Sequence, residues 1–140
     1  MIYVDTSILV ALCTTEEKSD AVDKWYEKST VKMFSSTWAF TEFSSALSLK
    51  VKTNQITEKQ SREAWKKFDN LCQNDIELLS IESKTYYSAG MLVVDSKSNL
   101  RAGDALHLAA AKQFKSKSLA TLDKVLAKNV GRVKIKAISI

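Results

Sequence analysis

Four carboxylates in this chain stand where short apolar runs give way to helical stretches: Asp5, Glu42, Asp104 and Asp123. Carboxylates brought together repel, and each raises the pKa of the others unless a cation intervenes. A site built of oxygen ligands alone suits a hard divalent ion, Mg2+ or Mn2+. Such an ion bridges to a phosphate, orients a water and stabilises the attacking and leaving oxygens. Each acid also has a plainer reading on its own, because a carboxylate at a helix N-terminus caps the helix and suits its dipole. Asp5 resists that reading best. It ends an apolar N-terminal strand, which points it into the crevice where open parallel sheets bind ligands.

The residues that are missing narrow the chemistry further. His107 is the only histidine, so a ribonuclease that uses two histidines as acid and base is excluded. One histidine and two distant cysteines do not make a zinc site, and no G-x-S-x-G elbow is present for a serine hydrolase. With no proline and three glycines, the chain has no glycine-rich phosphate loop. Cys13 and Cys72 fall in apolar, helical contexts and are read as reduced core thiols.

Composition bounds the rest. The 140 residues fit a single domain spanning 1–140. An apolar fraction of 45% and a charged fraction of 26% are those of an ordinary globular protein. No apolar run approaches the roughly 18 residues of a spanning helix. Nothing after Met1 reads as a secretory leader, so a cytoplasmic location is expected. The net charge is +5, unevenly spread: residues 1–96 hold 11 basic and 14 acidic groups, residues 97–140 hold 10 basic and 2 acidic. A basic C-terminal third is either a solvated face or an electrostatic footprint for a polyanion.

The elements that must position the acids follow from periodicity. Strands are expected at Ile2–Val4, Val31–Ser35, Ile76–Ile81, Leu119–Leu122 and Val133–Ile138. Helices are expected over Ile8–Leu12, Asp20–Lys28, Trp38–Val51, Lys84–Val94, Asp104–Phe114 and Lys124–Lys128. A further helix opens at the capping-box pair Thr57 and Gln60 and runs to about Leu71. Strands separated by helices imply parallel pairing with helices on both faces, a three-layer α/β fold around a five-stranded parallel sheet. Trp25, Trp38 and Trp65 occupy apolar helical positions and are read as core. The Phe/Leu stripe over residues 40–49 is core or a dimer face.

Four stretches carry a resemblance: Val4-Asp5-Thr6-Ser7-Ile8-Leu9-Val10-Ala11-Leu12, Ser36-Thr37-Trp38-Ala39-Phe40-Thr41-Glu42-Phe43-Ser44-Ser45-Ala46-Leu47, Leu100-Arg101-Ala102-Gly103-Asp104-Ala105-Leu106-His107-Leu108-Ala109 and Ala120-Thr121-Leu122-Asp123. In order and spacing the chain resembles the PIN-domain family and, within it, the VapC-type toxins of toxin–antitoxin pairs. The resemblance implies that Asp5, Glu42, Asp104 and Asp123 are the catalytic, metal-binding acids. It further implies Mg2+- or Mn2+-dependent endoribonuclease activity, in which water activated by the ion hydrolyses RNA to leave a 5′-phosphate and a 3′-hydroxyl. A cognate protein antitoxin and a homodimer are implied as partners, with no membrane.

Supporting roles fall to nearby residues. Thr6 and Ser7 are expected to hydrogen-bond Asp5 or cap the next helix, and Thr121 to orient Asp123 or a water. Arg101 is expected to steady a phosphate or pair with an acid. His107, one turn after Asp104, is read either as packed or as a residue that backs a metal-binding acid without itself touching the metal. Lys112, Lys115 and Lys117 are expected to guide the RNA backbone. Two other classes remain at this point. One is a doubly wound phosphatase or phosphoryl-transfer domain with Asp5 as nucleophile, although Ser7 stands where a second acid is usual. The other is a non-catalytic RNA- or protein-binding module whose acids are structural.

Overall fold

The computed structural model describes residues 1–140. Five strands form one sheet: β1 (Ile2–Val4), β2 (Met33–Ser36), β3 (Ile76–Leu79), β4 (Ser118–Ala120) and β5 (Lys136–Ile138). Their order is β3-β2-β1-β4-β5 and every pairing is parallel. Seven helices connect them: α1 (Thr6–Cys13), α2 (Ser19–Lys28), α3 (Trp38–Lys52), α4 (Glu58–Asn74), α5 (Ser83–Val93), α6 (Ala102–Gln113) and α7 (Lys124–Asn129). This is the three-layer α/β fold expected from the alternation.

Strand pleating divides the interior. Successive side chains of a strand point to opposite faces. Ile2 and Val4 therefore enter one buried cluster with Ile8, Leu9, Met33, Phe43, Leu47, Phe68 and Ile76. Tyr3 enters the other, with Phe34, Leu106, Leu108, Leu119 and Leu126. A parallel sheet covered on both faces reads as near-continuous apolar strands, and β1 is buried throughout. The chain runs outward from β1 through β2 to β3, then returns to β1's other side for β4 and β5. The crevice at the carboxyl ends of β1 and β4 is thus a topological switch point, where α/β sheets bind ligands.

Several details depart from the sequence expectation. Asp104 does not open α6. Arg101 is the N-cap residue, and Asp104 sits in the first turn with its Oδ2 accepting the Arg101 backbone N–H at 3.1 Å. The polar break after α5 contains a 3-10 turn at Ser96–Ser98. The fifth strand is shorter than its apolar run, because Val130–Val133 form a 3-10 turn that ends at Lys134 with φ 61°. The stripe on α3 is split: Phe43 and Leu47 are buried, whereas Phe40 and Leu49 lie half exposed or more. The capping box of α4 is present, with Gln60 N–H donating to Thr57 Oγ1 at 3.0 Å and Thr57 N–H to Gln60 Oε1 at 2.9 Å. Cys13 is buried and Cys72 half-buried, both as free thiols. No helix is long and apolar enough to cross a membrane.

Candidate functional site

Asp5 follows β1 and is the N-cap of α1, its Oδ1 accepting the Ile8 N–H at 3.3 Å. Only 4% of it is exposed. Ser7 Oγ donates to Oδ1 at 2.6 Å and Thr121 Oγ1 to Oδ2 at 2.5 Å. These two donors come from opposite flanks of the crevice and fix the plane of the carboxylate. Ser7 Oγ also accepts the Leu122 N–H at 2.9 Å, and Thr121 Oγ1 accepts the Asp123 N–H at 2.9 Å. The turn after β4 is thereby stitched to the start of α1. Burial raises the Asp5 carboxyl above its ordinary range, against the opposing pull of the His107 charge and the three hydrogen bonds.

Glu42, in the second turn of α3, is held from behind. Its Oε1 accepts from Thr6 Oγ1 at 2.6 Å and lies 2.5 Å from His107 Nε2. Tyr3 OH donates to Ser36 Oγ at 2.9 Å and lies 2.8 Å from His107 Nδ1. A buried chain thus runs Ser36–Tyr3–His107–Glu42, with His107 2% and Tyr3 0% exposed. Burial opposes ionisation of Glu42. The hydrogen bond and charge of His107, the Thr6 hydroxyl and the Trp38 indole together outweigh it and hold the carboxyl below its ordinary value. Burial also keeps the Tyr3 phenol well above its usual pKa, hence neutral.

The second oxygen of Glu42 faces Gly103. A Cβ at position 103 would lie 2.7 Å from Glu42 Oε2 and 3.3 Å from Trp38 Nε1. Glycine here is a matter of close approach, not of unusual backbone angles. Trp38 Nε1 is buried and makes no hydrogen bond of good geometry, so its N–H favours the Glu42 charge only as a nearby dipole.

Asp104 and Asp123 complete the group. Asp123 is the N-cap of α7, with Oδ1 accepting the N–H groups of Val125 and Leu126 at 2.7 and 2.9 Å. The Asp104 carboxyl is raised by burial, with the Asp123 charge adding to it against the Arg101 backbone hydrogen bond. All four acids line one open cleft of about 430 Å3, together with Thr6, Ser7, Trp38, Arg101, Gly103 and His107. As placed, no three of the chain's Asp, Glu, His and Cys side chains stand close enough together to hold a metal ion.

That arrangement fits Mg2+ or Mn2+ chemically. The donors are oxygens, one buried carboxylate lacks a positive partner of its own, and two others repel. Mg2+ keeps several waters and takes only one or two carboxylates, so an open acidic cleft suits it where a closed cage would shut out a phosphate.

The structure therefore brings Asp5, Glu42, Asp104, Asp123, Ser7, Thr121 and Arg101 to one place. Thr6 is there too, but bonded to Glu42 and not to Asp5. Trp38 is not simply core; it forms part of the cleft wall. His107 is both buried and in contact with Glu42. Lys112, Lys115 and Lys117 are exposed and absent from the cleft lining. They occupy the end of α6 and the entry to β4, where Lys115 takes φ 55° and Lys117 O accepts the Lys136 N–H. Lys112 stands eight residues beyond Asp104, about 12 Å along the helix at 1.5 Å per residue. Lys117 is one short strand away from Thr121, again about 13 Å.

Tyr3, Ser36 and Gly103 were not singled out from sequence. A tyrosine in an otherwise aliphatic strand, and a glycine directly before a helical acid, are the signals that could have found them.

Comparison with known proteins places these features. The family described as PIN domain matches residues 2–131. No curated protein matches the chain in sequence. Among solved structures, VapC20 from Mycobacterium tuberculosis, a sarcin-ricin loop cleaving toxin, is similar with TM-score 0.74 and 13% identity over 91% of this chain and 94% of its own. FitAcB from Neisseria gonorrhoeae is similar with TM-score 0.69 and 15% identity, covering 99% and 97%. VapBC2 from Rickettsia felis, bound to a DNA fragment from its promoter, is similar with TM-score 0.67 and 16% identity, covering 99% and 98%. At these identities the likeness is one of fold.

Proposed function

The chain belongs to the PIN-domain family, and from that premise we propose that it is a metal-dependent endoribonuclease acting as the toxin of a toxin–antitoxin pair. The observation that carries this reading is the convergence of Asp5, Glu42, Asp104 and Asp123 on one cleft at the carboxyl ends of the central strands. Asp5, Glu42, Asp104 and Asp123 would hold a divalent cation, Mg2+ or Mn2+, which would supply positive charge for the phosphate and lower the pKa of a bound water.

The chain's own residues do the rest. Ser7, Thr121 and the Ile8 N–H fix Asp5. Thr6 and His107 occupy Glu42 Oε1 and leave Oε2 toward Gly103 and the cleft. Val125 and Leu126 take one oxygen of Asp123, and Arg101 N–H takes one oxygen of Asp104. Each acid is thereby oriented from behind. Asp104, with its raised carboxyl, is placed to accept a proton at its remaining oxygen. Arg101, exposed at the cleft with no acidic partner, offers its guanidinium to the phosphate. Attack by water in line with the scissile bond leaves a 5′-phosphate and a 3′-hydroxyl.

A protein antitoxin and a second copy of the chain are the proposed partners. The test is cleavage of total cellular RNA by purified protein with Mg2+ or Mn2+, with EDTA, and beside Asp5→Ala. Discrete fragments bearing 5′-phosphates, absent with EDTA and in the variant, are expected. Equal cleavage by Asp5→Ala refutes the site.

A further inference from the structure

Asp123 belongs to two cavities. One is the acidic cleft. The other is a groove of about 320 Å3 on its far side, lined by Lys18, Thr121, Leu122, Lys124, Ala137 and Ile138 among others. The two share Asp123, in the turn that Thr121 and Ser7 tie down.

Its chemistry is mixed in a particular way. Leu122 and Ile138 are half-buried and give it an apolar wall. Lys18 and Lys124 are exposed at it, and neither takes part in any ion pair. The acidic side chain on its lining, Asp123, has its Oδ1 taken by the Val125 and Leu126 N–H groups. Free cations beside an apolar wall suit a ligand with an anionic edge and a flat, weakly polar body, which describes a nucleotide within a strand. On the cleft's lining, Arg101 adds a further cation without an acidic partner.

We propose that this groove is a subsite for the RNA segment flanking the scissile phosphate, with Lys18 and Lys124 each holding a backbone phosphate and the Leu122–Ile138 wall taking a sugar or base. The assignment rests on the nuclease reading of the cleft. It replaces Lys112, Lys115 and Lys117 as the cations that track the strand. Those three stand at the end of α6 and the entry to β4, about 12–13 Å along the chain's elements from Asp104 and Thr121, whereas Lys124 directly follows Asp123.

The test is fluorescence anisotropy with a short, mixed-sequence single-stranded RNA in EDTA, across a KCl series. Three proteins are compared: wild type, Lys18→Gln/Lys124→Gln, and Lys112→Gln/Lys115→Gln/Lys117→Gln. Each phosphate contact to a single strand contributes about 0.7 to the slope of log affinity against log salt, so losing two lowers it by about 1.4. The affinity ratio of wild type to the double variant should then be about sevenfold larger at 50 mM than at 200 mM KCl. The triple variant should keep most of the wild-type slope. An unchanged slope in the double variant, or an equal loss in the triple, overturns the subsite. Cleavage assays with Mg2+ separate this from the parent reading. Wild-type cleavage with KM unchanged in the double variant sinks the groove and leaves the nuclease. The predicted salt difference without cleavage under either metal sinks the nuclease and leaves the RNA groove.

Discussion

Replacing His107 by leucine tests the buried chain behind Glu42. The substitution keeps an apolar side chain in a site where His107 is 2% exposed. It removes the 2.5 Å contact to Glu42 Oε1 and leaves Tyr3 OH with Ser36 alone. A hydrogen bond to a charged group is worth about 1.5–3 kcal/mol. Glu42 keeps the Thr6 hydroxyl but loses its chief compensation for burial. A loss of about 2–3 kcal/mol at pH 7 follows. For a domain of this size that is roughly 6–9 °C in Tm, at about 3 °C per kcal/mol.

The pH dependence is the sharper part. In the wild type the Glu42 carboxyl is held below its ordinary value. The unfolded chain therefore binds the proton first as pH falls, and Glu42 stabilises the fold above the unfolded carboxylate pKa of about 4.3. That contribution disappears as pH falls through the lower folded value. In His107→Leu, burial acts without its main opponent and the carboxyl moves upward. The variant then gains stability on acidification where the wild type loses it. The gap between the two should be widest near pH 7 and narrow toward pH 4. Differential scanning fluorimetry or urea melts across that range, without added metal, measure it. A gap that stays constant with pH refutes the idea that His107 acts on the charge of Glu42.

Further outcomes follow from the same geometry. Gly103→Ala puts a methyl 2.7 Å from Glu42 Oε2, and Oε1 is pinned, so the carboxylate must turn. RNA cleavage should fall at least tenfold while Tm changes by only a few degrees; full activity in Gly103→Ala would remove Glu42 Oε2 from the site. Asp5→Asn keeps an oxygen for Ser7 and Ile8 and offers an N–H to Thr121 Oγ1. Because burial raises the Asp5 carboxyl, removing its charge should raise the metal-free Tm and abolish any stabilisation by Mn2+. A lower Tm in EDTA counts against that account. Thr121→Val removes both the 2.5 Å bond to Asp5 and the acceptor for Asp123 N–H. Leaving a buried N–H unpaired costs about 1–3 kcal/mol, and cleavage should drop with it; a melting curve like the wild type's would show that the turn holds without the hydroxyl.

Alternating apolar strands and helices led directly to the fold, because burial on both faces leaves a repeating trace along the chain. The acids were found for a related reason. In a parallel sheet the residue after a strand is the residue at the crevice, so Asp5 and Asp123 could be placed by counting along the strands. The backing residues lie elsewhere in sequence. Thr6 meets Glu42 across 36 positions and Tyr3 meets His107 across 104, and no local pattern records such distances. The placement of the lysines was not legible for the converse reason. A basic third of the chain is a fact about composition, and composition does not say which cations stand near the acids; α6 carries Lys112 about 12 Å along the helix from Asp104.

The site and the stability of the fold pull in opposite directions. Asp5 and Asp104 are raised and Glu42 is lowered, so only at Glu42 do the partners that favour the charge outweigh burial. A fold selected for stability alone would neutralise Asp5, since Ser7, Thr121 and the Ile8 N–H serve a neutral amide nearly as well. Keeping it a carboxylate makes sense when a cation from outside completes the set. His107 then has a distinct job: it secures Glu42 without a second acid and leaves one oxygen toward the cleft, so that the external charge requirement falls on Asp5, Asp104 and Asp123. Divalent metal should for that reason stabilise the wild type more than it stabilises any variant lacking one of those three aspartates, whereas His107→Leu should retain a metal response and lose only part of its strength.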